Sequence, residues 1–370
     1  MNRPIGRPRI PRWRAWIPVF LVCGIGAAQD ENKDEARWVK VDAGTQEDLT
    51  SVCMPTNQEA WIVGSKGLVL HSADRGKTWA RQESGLAKAD LYSVHFVDDR
   101  HGWACGGIGD GAAVGGHILM GRPVTASAIL KTQDGGKTWE KVWPSTNFDL
   151  KDVWMADRER GAIVCHGGMR HKDGDTLRGG ASWKSNRAYR ALNAVQLVDA
   201  TTGFAVGTRV SVGFSPTPTS SLYTERACQI LRTTDGGASW LPLAHEDLGK
   251  GVDLYDVSFV DAKSGWVCGD AGVILRTEDG GASWTRQASH VSTRLKCIFA
   301  IDAERAWSSG AGGVILRTTD SGRTWSKVES GTEADLLGLW FSPEGAGVIV
   351  GSRGTLLIRT PSKDSSRREY

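Results

Sequence analysis

Apolar residues in this chain fall in short runs of β-branched and aromatic side chains, each closed by Gly or Asp. Asp90-Leu-Tyr-Ser-Val-His-Phe-Val-Asp98 is followed by Gly102-Trp-Ala-Cys-Gly106 and then Ala128-Ile-Leu-Lys-Thr132. Asp253-Leu-Tyr-Asp-Val-Ser-Phe-Val-Asp261 is followed by Gly265-Trp-Val-Cys-Gly269 and Val273-Ile-Leu-Arg-Thr277. Runs of this kind predict strands. Three of them, A, B and C, lead in each unit to a polar turn, and a Trp opens a fourth, D.

The turn repeats. Ser72-Ala-Asp74-Arg-Gly76-Lys-Thr78-Trp79 returns as Thr132 to Trp139, Thr233 to Trp240, Thr277 to Trp284 and Thr318 to Trp325. A degenerate copy, Thr176 to Trp183, has Arg178 where the others carry Asp74, Asp134, Asp235, Asp279 and Asp320. The pattern [ST]-x-D-x-G-x-[TS]-W resembles the Asp-box, or bacterial neuraminidase repeat. Its chemistry is that of a turn. The carboxylate accepts backbone N–H groups of its own loop, the Gly takes positive φ, and the Trp buries a ring between sheets. These carboxylates are therefore read as structural, not catalytic.

The Trp residues that open strand D are Trp38, Trp79, Trp139, Trp183, Trp240, Trp284 and Trp325. Their spacing of about 48 residues is that of a four-stranded propeller blade. The end units are complementary: Trp38 to Val41 is a D strand alone, and Leu336 to Thr360 has A, B and C alone. The expected fold is an all-β, seven-bladed propeller over residues 36–360, closed by the N-terminal strand completing the last blade. Closure removes long sheet edges.

Composition adds the compartment. Residues 1–28 read as a signal peptide: Arg3, Arg7, Arg9, Arg12 and Arg14 precede a short apolar run from Ala15 to Ile25, and Gly26-Ala27-Ala28 supplies small residues for cleavage. Residues 29–35 read as a linker and 361–370 as a polar tail. Cleavage removes five of the 45 Lys and Arg residues and no acid, leaving 40 against 42, or about −2. Nothing in that balance points to nucleic acid. Localisation is expected to be periplasmic, lumenal or extracellular, with no membrane insertion after cleavage, as a monomer. The six remaining cysteines are expected to be mostly free and buried. Cys105, Cys165 and Cys268 read as one B-strand slot filled elsewhere by Val63, Val206, Ser309 and Val350.

Four blades join B to C by a tight turn, at Ser65-Lys-Gly67, Asp270-Ala-Gly272, Ala311-Gly-Gly313 and Ser352-Arg-Gly354. Blades 2, 3 and 4 depart from this, with expected loops from Gly106 to Ser127, His166 to Asp175 and Gly207 to Ala227. Long loops carry function more often than short ones. The candidate partner-binding residues there are His117, Arg122, His166, Arg170, His171, Lys172, Arg209, Tyr223 and Arg226. No metal-ligand spacing is matched, and no metal or cofactor is expected. Gly107 to Ala112 imitates part of a dinucleotide fingerprint without the βαβ context. Lys131, Arg232, Arg276, Arg317 and Arg359 recur at one strand-C position, read as stems packed between blades rather than as a charged ring.

The units from Asp90 to Asp98, Gly265 to Gly269 and Gly272 to Trp284 resemble those of the photosystem II stability and assembly factor family. The resemblance covers about residues 36–360. It implies an exported, non-enzymatic scaffold that binds an extracytoplasmic segment of a membrane protein, in part through a basic patch. The long loops of blades 2 to 4 and Arg178 depart from the family pattern. Members also occur in bacteria without photosystems. The alternative is a divergent sialidase-type glycoside hydrolase. Against it, Arg9-Ile-Pro11 lies ahead of the apolar run, and the equivalent Tyr92 and Tyr255 read as repeat residues rather than as half of a Tyr–Glu pair.

Overall fold

The computed structural model describes residues 37–87, 89–108, 126–142, 150–165, 168–172, 184–186, 191–214, 222–243, 251–342 and 345–359. The chain divides into Met1–Glu35 and Ala36–Tyr370, and every described residue belongs to the second unit. The described strands make an all-β propeller. They form seven antiparallel four-stranded sheets, each ordered A-B-C-D, and each takes its strands consecutively except the last. In blade 1 these are Leu49–Cys53, Ala60–Gly64, Leu68–Ser72 and Ala80–Glu83. In the last sheet, Leu336–Phe341, Gly347–Gly351 and Thr355–Arg359 are completed by Val39–Lys40, with Val39 opposite Ile358. Among the described residues no helix is long and apolar enough to cross a membrane.

The core lies between sheets, not within them. Each apolar cluster joins two neighbours. Leu49, Ile62 and Leu70 pack with Val348, Val350 and Leu356, and Trp266, Cys268 and Ile274 pack with Leu295, Ile298 and Leu316. The box Trp rings join these seams, Trp240 and Trp325 fully and Trp79 and Trp284 at the margin. The most deeply buried indoles are instead Trp61, Trp103 and Trp266, each the second residue of a strand B. Across from Trp103, Trp266 and the equivalent Trp307 of blade 6, a strand-C cation lies in register: Lys131, Arg276 and Arg317, at 4.9–5.8 Å from the ring centroids. The recurring cations thus cover aromatic faces and do not ring the axis.

The box turns are nearly superimposable. The first hydroxyl accepts the box Gly N–H at 2.8–2.9 Å in all five good copies. The second hydroxyl donates to the Asp carboxylate at 2.5–2.7 Å. The Thr78 hydroxyl, then the Thr78 N–H, hold the Asp74 carboxyl down at about 2.

The innermost strands carry a second set of bonds. Backbone ladders stop at the sheet edge, so side chains of one A strand accept the N–H groups of the next. Ser51 accepts from Val94, Ser93 from Val153, Asp152 from Val195 and Asp256 from Ile298. One level along, Cys53 accepts from Phe96, His95 Nδ1 from Met155, Gln196 from Phe259 and Ser258 from Ala300. The Trp340 indole donates to Met54 O at 3.1 Å, joining the last A strand to the first.

Two expectations need correction. Cys165 is opposite Leu150, the position held by Gly64, Gly106, Gly207, Gly269, Gly310 and Gly351, and Val164 fills the slot of Cys105 and Cys268. A Cβ at Gly106 or Gly64 would lie 2.1 Å from the carbonyl oxygen of Asp90 or Asp48, which is why the slot is glycine elsewhere. Blade 3 also lacks a long B–C loop. Gly161–Cys165 turns directly into Gly168–Lys172, with Cys165 opposite Gly168. The long segment follows strand C. Among the described residues no cysteine forms a disulfide, and all but the half-buried Cys228 are buried.

Candidate functional site

Every A strand has the same irregularity. The register shifts between its opening Leu and the residue two further on, at Leu49, Leu91, Leu150, Leu192, Leu254, Leu295 and Leu336. The residue between is bulged out of the ladder. Bulges re-aim side chains. The bulged residues are Thr50, Tyr92, Lys151, Asn193, Tyr255, Lys296 and Leu337. They sit at the end of the A strands nearest the B–C turns, around one mouth of the axis.

Two cation–aromatic pairs form there. Lys151 Nζ lies 4.7 Å from the Tyr92 ring centroid, and Lys296 Nζ lies 3.8 Å from that of Tyr255. Arg294 lies 5.4 Å from the Tyr255 ring, and its Nε donates to Asp270 Oδ1 at 2.8 Å. Burial, then the Arg294 charge, push the Lys296 ammonium down to about 8. Burial, then Asp270, push the Tyr255 hydroxyl up. Beside Arg294 and Lys296 is a cavity of about 40 Å³, also lined by Asp48, Asp335, Leu337 and Ser352.

The B–C turns frame this mouth. Lys66 and Gly67 both have positive φ, as do Ala271 and Gly272 and Arg353 and Gly354, the backbone of a tight hairpin turn. The turn N–H groups reach the next blade: Lys66 N–H donates to Asp90, Gly312 N–H to Asp335 and Arg353 N–H to Asp48, at 2.8–3.1 Å.

Deeper along the axis are Asp152 and Asp256. Asp152 accepts from the Ser93 hydroxyl at 2.6 Å and from Val153 and Val195 N–H at 2.9 Å. Asp256 accepts from Val257 and Ile298 N–H at 2.8 Å. Burial raises both carboxyls, that of Asp256 to about 8, with the Asp152 charge adding to the push. Further on, the axis is crossed by aromatic rings. Trp154 stacks on Trp340 at 5.7 Å, with His95 and Phe299 against them. Burial holds His95 neutral, at about 3.

Of the sequence-predicted site residues, His117, Arg122 and His166 lie outside the described residues. Arg170, His171 and Lys172 are in strand C of blade 3, opposite Ile163, Ala162 and Gly161, and not in a loop. Arg209, Tyr223 and Arg226 are on a hairpin, not in a loop. Gly203–Phe214 and Leu222–Thr233 pair over their whole length, with Arg209 opposite Ala227, Val210 opposite Arg226 and Gly213 opposite Tyr223. The alternation Val210-Ser211-Val212 is the strand signal behind this. Arg209 is exposed. The bulged residues were not anticipated as a set. Aligning the seven A strands at their Leu would have found them.

A family model described as Photosynthesis system II assembly factor YCF48 matches residues 21–112, 190–295 and 244–333. The photosystem II stability/assembly factor HCF136 of Arabidopsis thaliana is 38% identical over 55 residues, 15% of this chain and 14% of its own. The photosystem II assembly lipoprotein Ycf48 of Picosynechococcus is 31% identical over 85 residues, 22% of this chain and 25% of its own. The matches thus span a quarter or less of these relatives. Among solved structures, YCF48 bound to D1 peptide has a TM-score of 0.63 at 17% identity, covering 89% of this chain and 98% of that one. YCF48 from Cyanidioschyzon merolae has a TM-score of 0.63 at 19% identity, covering 88% and 99%. The xyloglucanase of Xanthomonas campestris has a TM-score of 0.59 at 13% identity, covering 87% of this chain and 53% of that one. At these identities the likeness is of fold alone, and the fold is shared by binding proteins and a glycosidase.

Proposed function

This chain belongs to the photosystem II assembly factor YCF48 family, and on that premise we propose that it is an exported, non-enzymatic, seven-bladed scaffold. It holds an extracytoplasmic segment of a membrane protein against the B–C face, as a photosystem II assembly-type factor does. The observation that carries this is the axial mouth on that face, where Tyr92, Lys151, Tyr255, Arg294 and Lys296 offer aromatic faces and cations together. Such surfaces suit polypeptide partners. The solved relative named as bound to D1 peptide supports a polypeptide ligand. Arg209 is exposed on the blade 4 hairpin, which extends from the B–C end of its sheet; His117 and Arg122 lie outside the described residues and are kept as sequence candidates.

The carboxylate pair on the axis does not favour a glycosidase. Asp152 gives both oxygens to bonds with neighbouring strands, and Asp256 gives one to the next strand and one to the N–H of Val257 beside it, a structural use. The test is a crosslinking capture from the exported compartment, wild type beside Arg122→Glu/Arg209→Glu/Arg226→Glu. A membrane protein captured by wild type and lost in the variant supports the B–C face. Equal capture by both overturns the choice of face. Turnover of a fluorogenic glycoside panel would overturn the non-enzymatic reading. Amino-terminal sequencing of the exported protein should begin at Gln29. A retained leader would contradict cleavage there.

A further inference from the structure

We infer that the far end of the axis, at the A–B turns of blades 2 to 4, is a binding pocket for an uncharged sugar ring, with Trp154 and His95 as its floor. The A strands run from the mouth described above to these turns. The pocket therefore opens on the opposite face and stands apart from the proposed partner site.

The first argument is the space. Residues 95–97, 154–157 and 197–200, with Pro55 and Arg160, line a cavity of about 330 Å³. That volume is within the range of small-ligand sites. His95 is buried and Trp154 half-buried, whereas Arg160 and Asp199 are exposed. The rings thus form a floor and the charged groups a rim.

The second argument is a pair of unmet donors. At the fifth position of the A strand, Cys53, His95, Gln196 and Ser258 each accept an N–H from the next blade. Cysteine and serine meet that need with a single atom. His95 meets it with Nδ1, which puts the proton of the neutral ring on Nε2, and Nε2 has no partner among the described residues. The residue is only 6% exposed, and a buried donor without an acceptor is costly. Trp154 shows the same thing. At the equivalent position Trp340 donates its indole N–H to Met54 O, whereas the Trp154 indole has no acceptor among the described residues. Both rings line the cavity, so both donors are left for what fills it.

The third argument is the shape and polarity of the occupant. Trp154 lies 4.2 Å from His95 and 5.7 Å from Trp340, but those two are only 6.0 Å apart, too close to sandwich the indole. One indole face is left without a ring on it among the described residues. The negative face of an indole attracts the C–H face of a pyranose, whose hydrogens are partly positive. Hydroxyls around such a ring both donate and accept, so they can meet N–H donors at the floor and carboxylates at the rim. A phenol has one hydroxyl and cannot do both. A charged occupant is disfavoured, because Arg160 is already paired with Asp157 and burial keeps His95 neutral.

The pocket binds and does not cleave. Glycoside hydrolysis needs a carboxyl raised enough to give up its proton near neutral pH. The Thr202 and Thr201 N–H groups hold Asp199 at about 2. Burial lifts Asp157, but the Glu159 and Arg160 N–H groups outweigh it and hold that carboxyl low.

The test is a titration of the purified protein with methyl glucoside, N-acetylglucosamine, cellobiose and p-cresol, read on the Trp154 indole and His95 ring N–H signals. Saturable shifts with a sugar and none with p-cresol are expected. Ala200→Leu narrows the cavity from its wall without touching the floor, and should abolish binding at unchanged Tm. His95→Ser keeps the seam acceptor, as Ser258 does in its own blade, and should weaken binding roughly three- to tenfold, the scale of one neutral hydrogen bond. Binding of p-cresol alone would assign the pocket to an aromatic side chain and overturn the sugar reading. No saturable shift with any sugar, or full affinity in folded Ala200→Leu, overturns the pocket. Ala200→Leu leaves the B–C face intact, so partner capture by that variant tests the proposed function separately.

Discussion

Asp256→Asn should flatten part of the pH dependence of stability. In the folded chain the carboxyl is raised to about 8, first by burial and then by the Asp152 charge, against an ordinary value of 3.8. A raised carboxyl is protonated in the folded state while it is ionised in the unfolded one. Its stabilisation is therefore complete below the ordinary value and is lost as pH rises through about 8. Between pH 6 and pH 9 the loss is about 2–3 kcal/mol, taking about 1.4 kcal/mol per pH unit for one proton. Lys296 works the other way. Its ammonium is depressed to about 8, so stability from it rises over the same interval. That contribution is common to wild type and variant and cancels in their difference. Guanidinium unfolding of both proteins at pH 6, 7, 8 and 9 measures the difference. The variant should gain on wild type by about 2–3 kcal/mol across the series, whatever its offset at pH 6. Parallel pH curves for the two proteins would refute the account of Asp256 as a protonated link between blades 5 and 6.

Three further outcomes follow from the packing. Trp266→Ala, at a fully buried B-strand position, should cost about 3–5 kcal/mol in chemical unfolding, and Trp284→Ala, at the margin of its seam, should cost less. The reverse order would mean that the box Trp is the main inter-blade plug. Thr277→Val keeps the shape but removes the acceptor for the buried Gly281 N–H and the donor to Asp279, and should cost about 1–3 kcal/mol. A neutral effect would show that the box bonds are made equally well by water. Gly106→Ala places a methyl 2.1 Å from Asp90 O and should lower Tm by far more than Gly85→Ala, where φ is positive but no atom lies within 4 Å. Equal Tm values for the two variants would contradict the close approach of strands A and B.

The repeat was legible because its chemistry is local. Asp74 meets Thr78 four residues away, and the same spacing recurs at Asp134, Asp235, Asp279 and Asp320. The complementary end units were legible for the same reason, and Val39 does lie opposite Ile358. The register of Cys165 was not. Six B strands place Gly opposite the A-strand Leu, and Gly161–Cys165 places Cys165 there, so matching cysteine to cysteine slid the strand by one residue. The blade 4 hairpin was hidden by the opposite error. Tight turns in four blades made the longer connection look like a loop, although Val210 and Val212 alternate with polar residues as a strand does. The inner ring had no local signal at all, since Asp152 to Val195 and Ser51 to Val94 bonds each span 43 residues.

That inner ring explains why the mouth varies more freely than the axis does. The third and fifth positions of an A strand mostly supply an acceptor for the next blade's N–H, as Ser93, Asp152, His95 and Ser258 do. Changing them disturbs a seam. The bulged second position has no such fixed duty. Thr50 and Asn193 use it for carbonyls of the next blade, whereas Tyr255 and Lys296 use it to meet each other. Residues there can change without breaking the ring, so charge and aromaticity gathered at the bulges reflect what the face meets. Lys296 sharpens the point. Leu337 fills the same position in the next blade without charge, whereas the Lys296 ammonium is buried beside the Arg294 charge with the Tyr255 ring and the Asp270 charge to offset it.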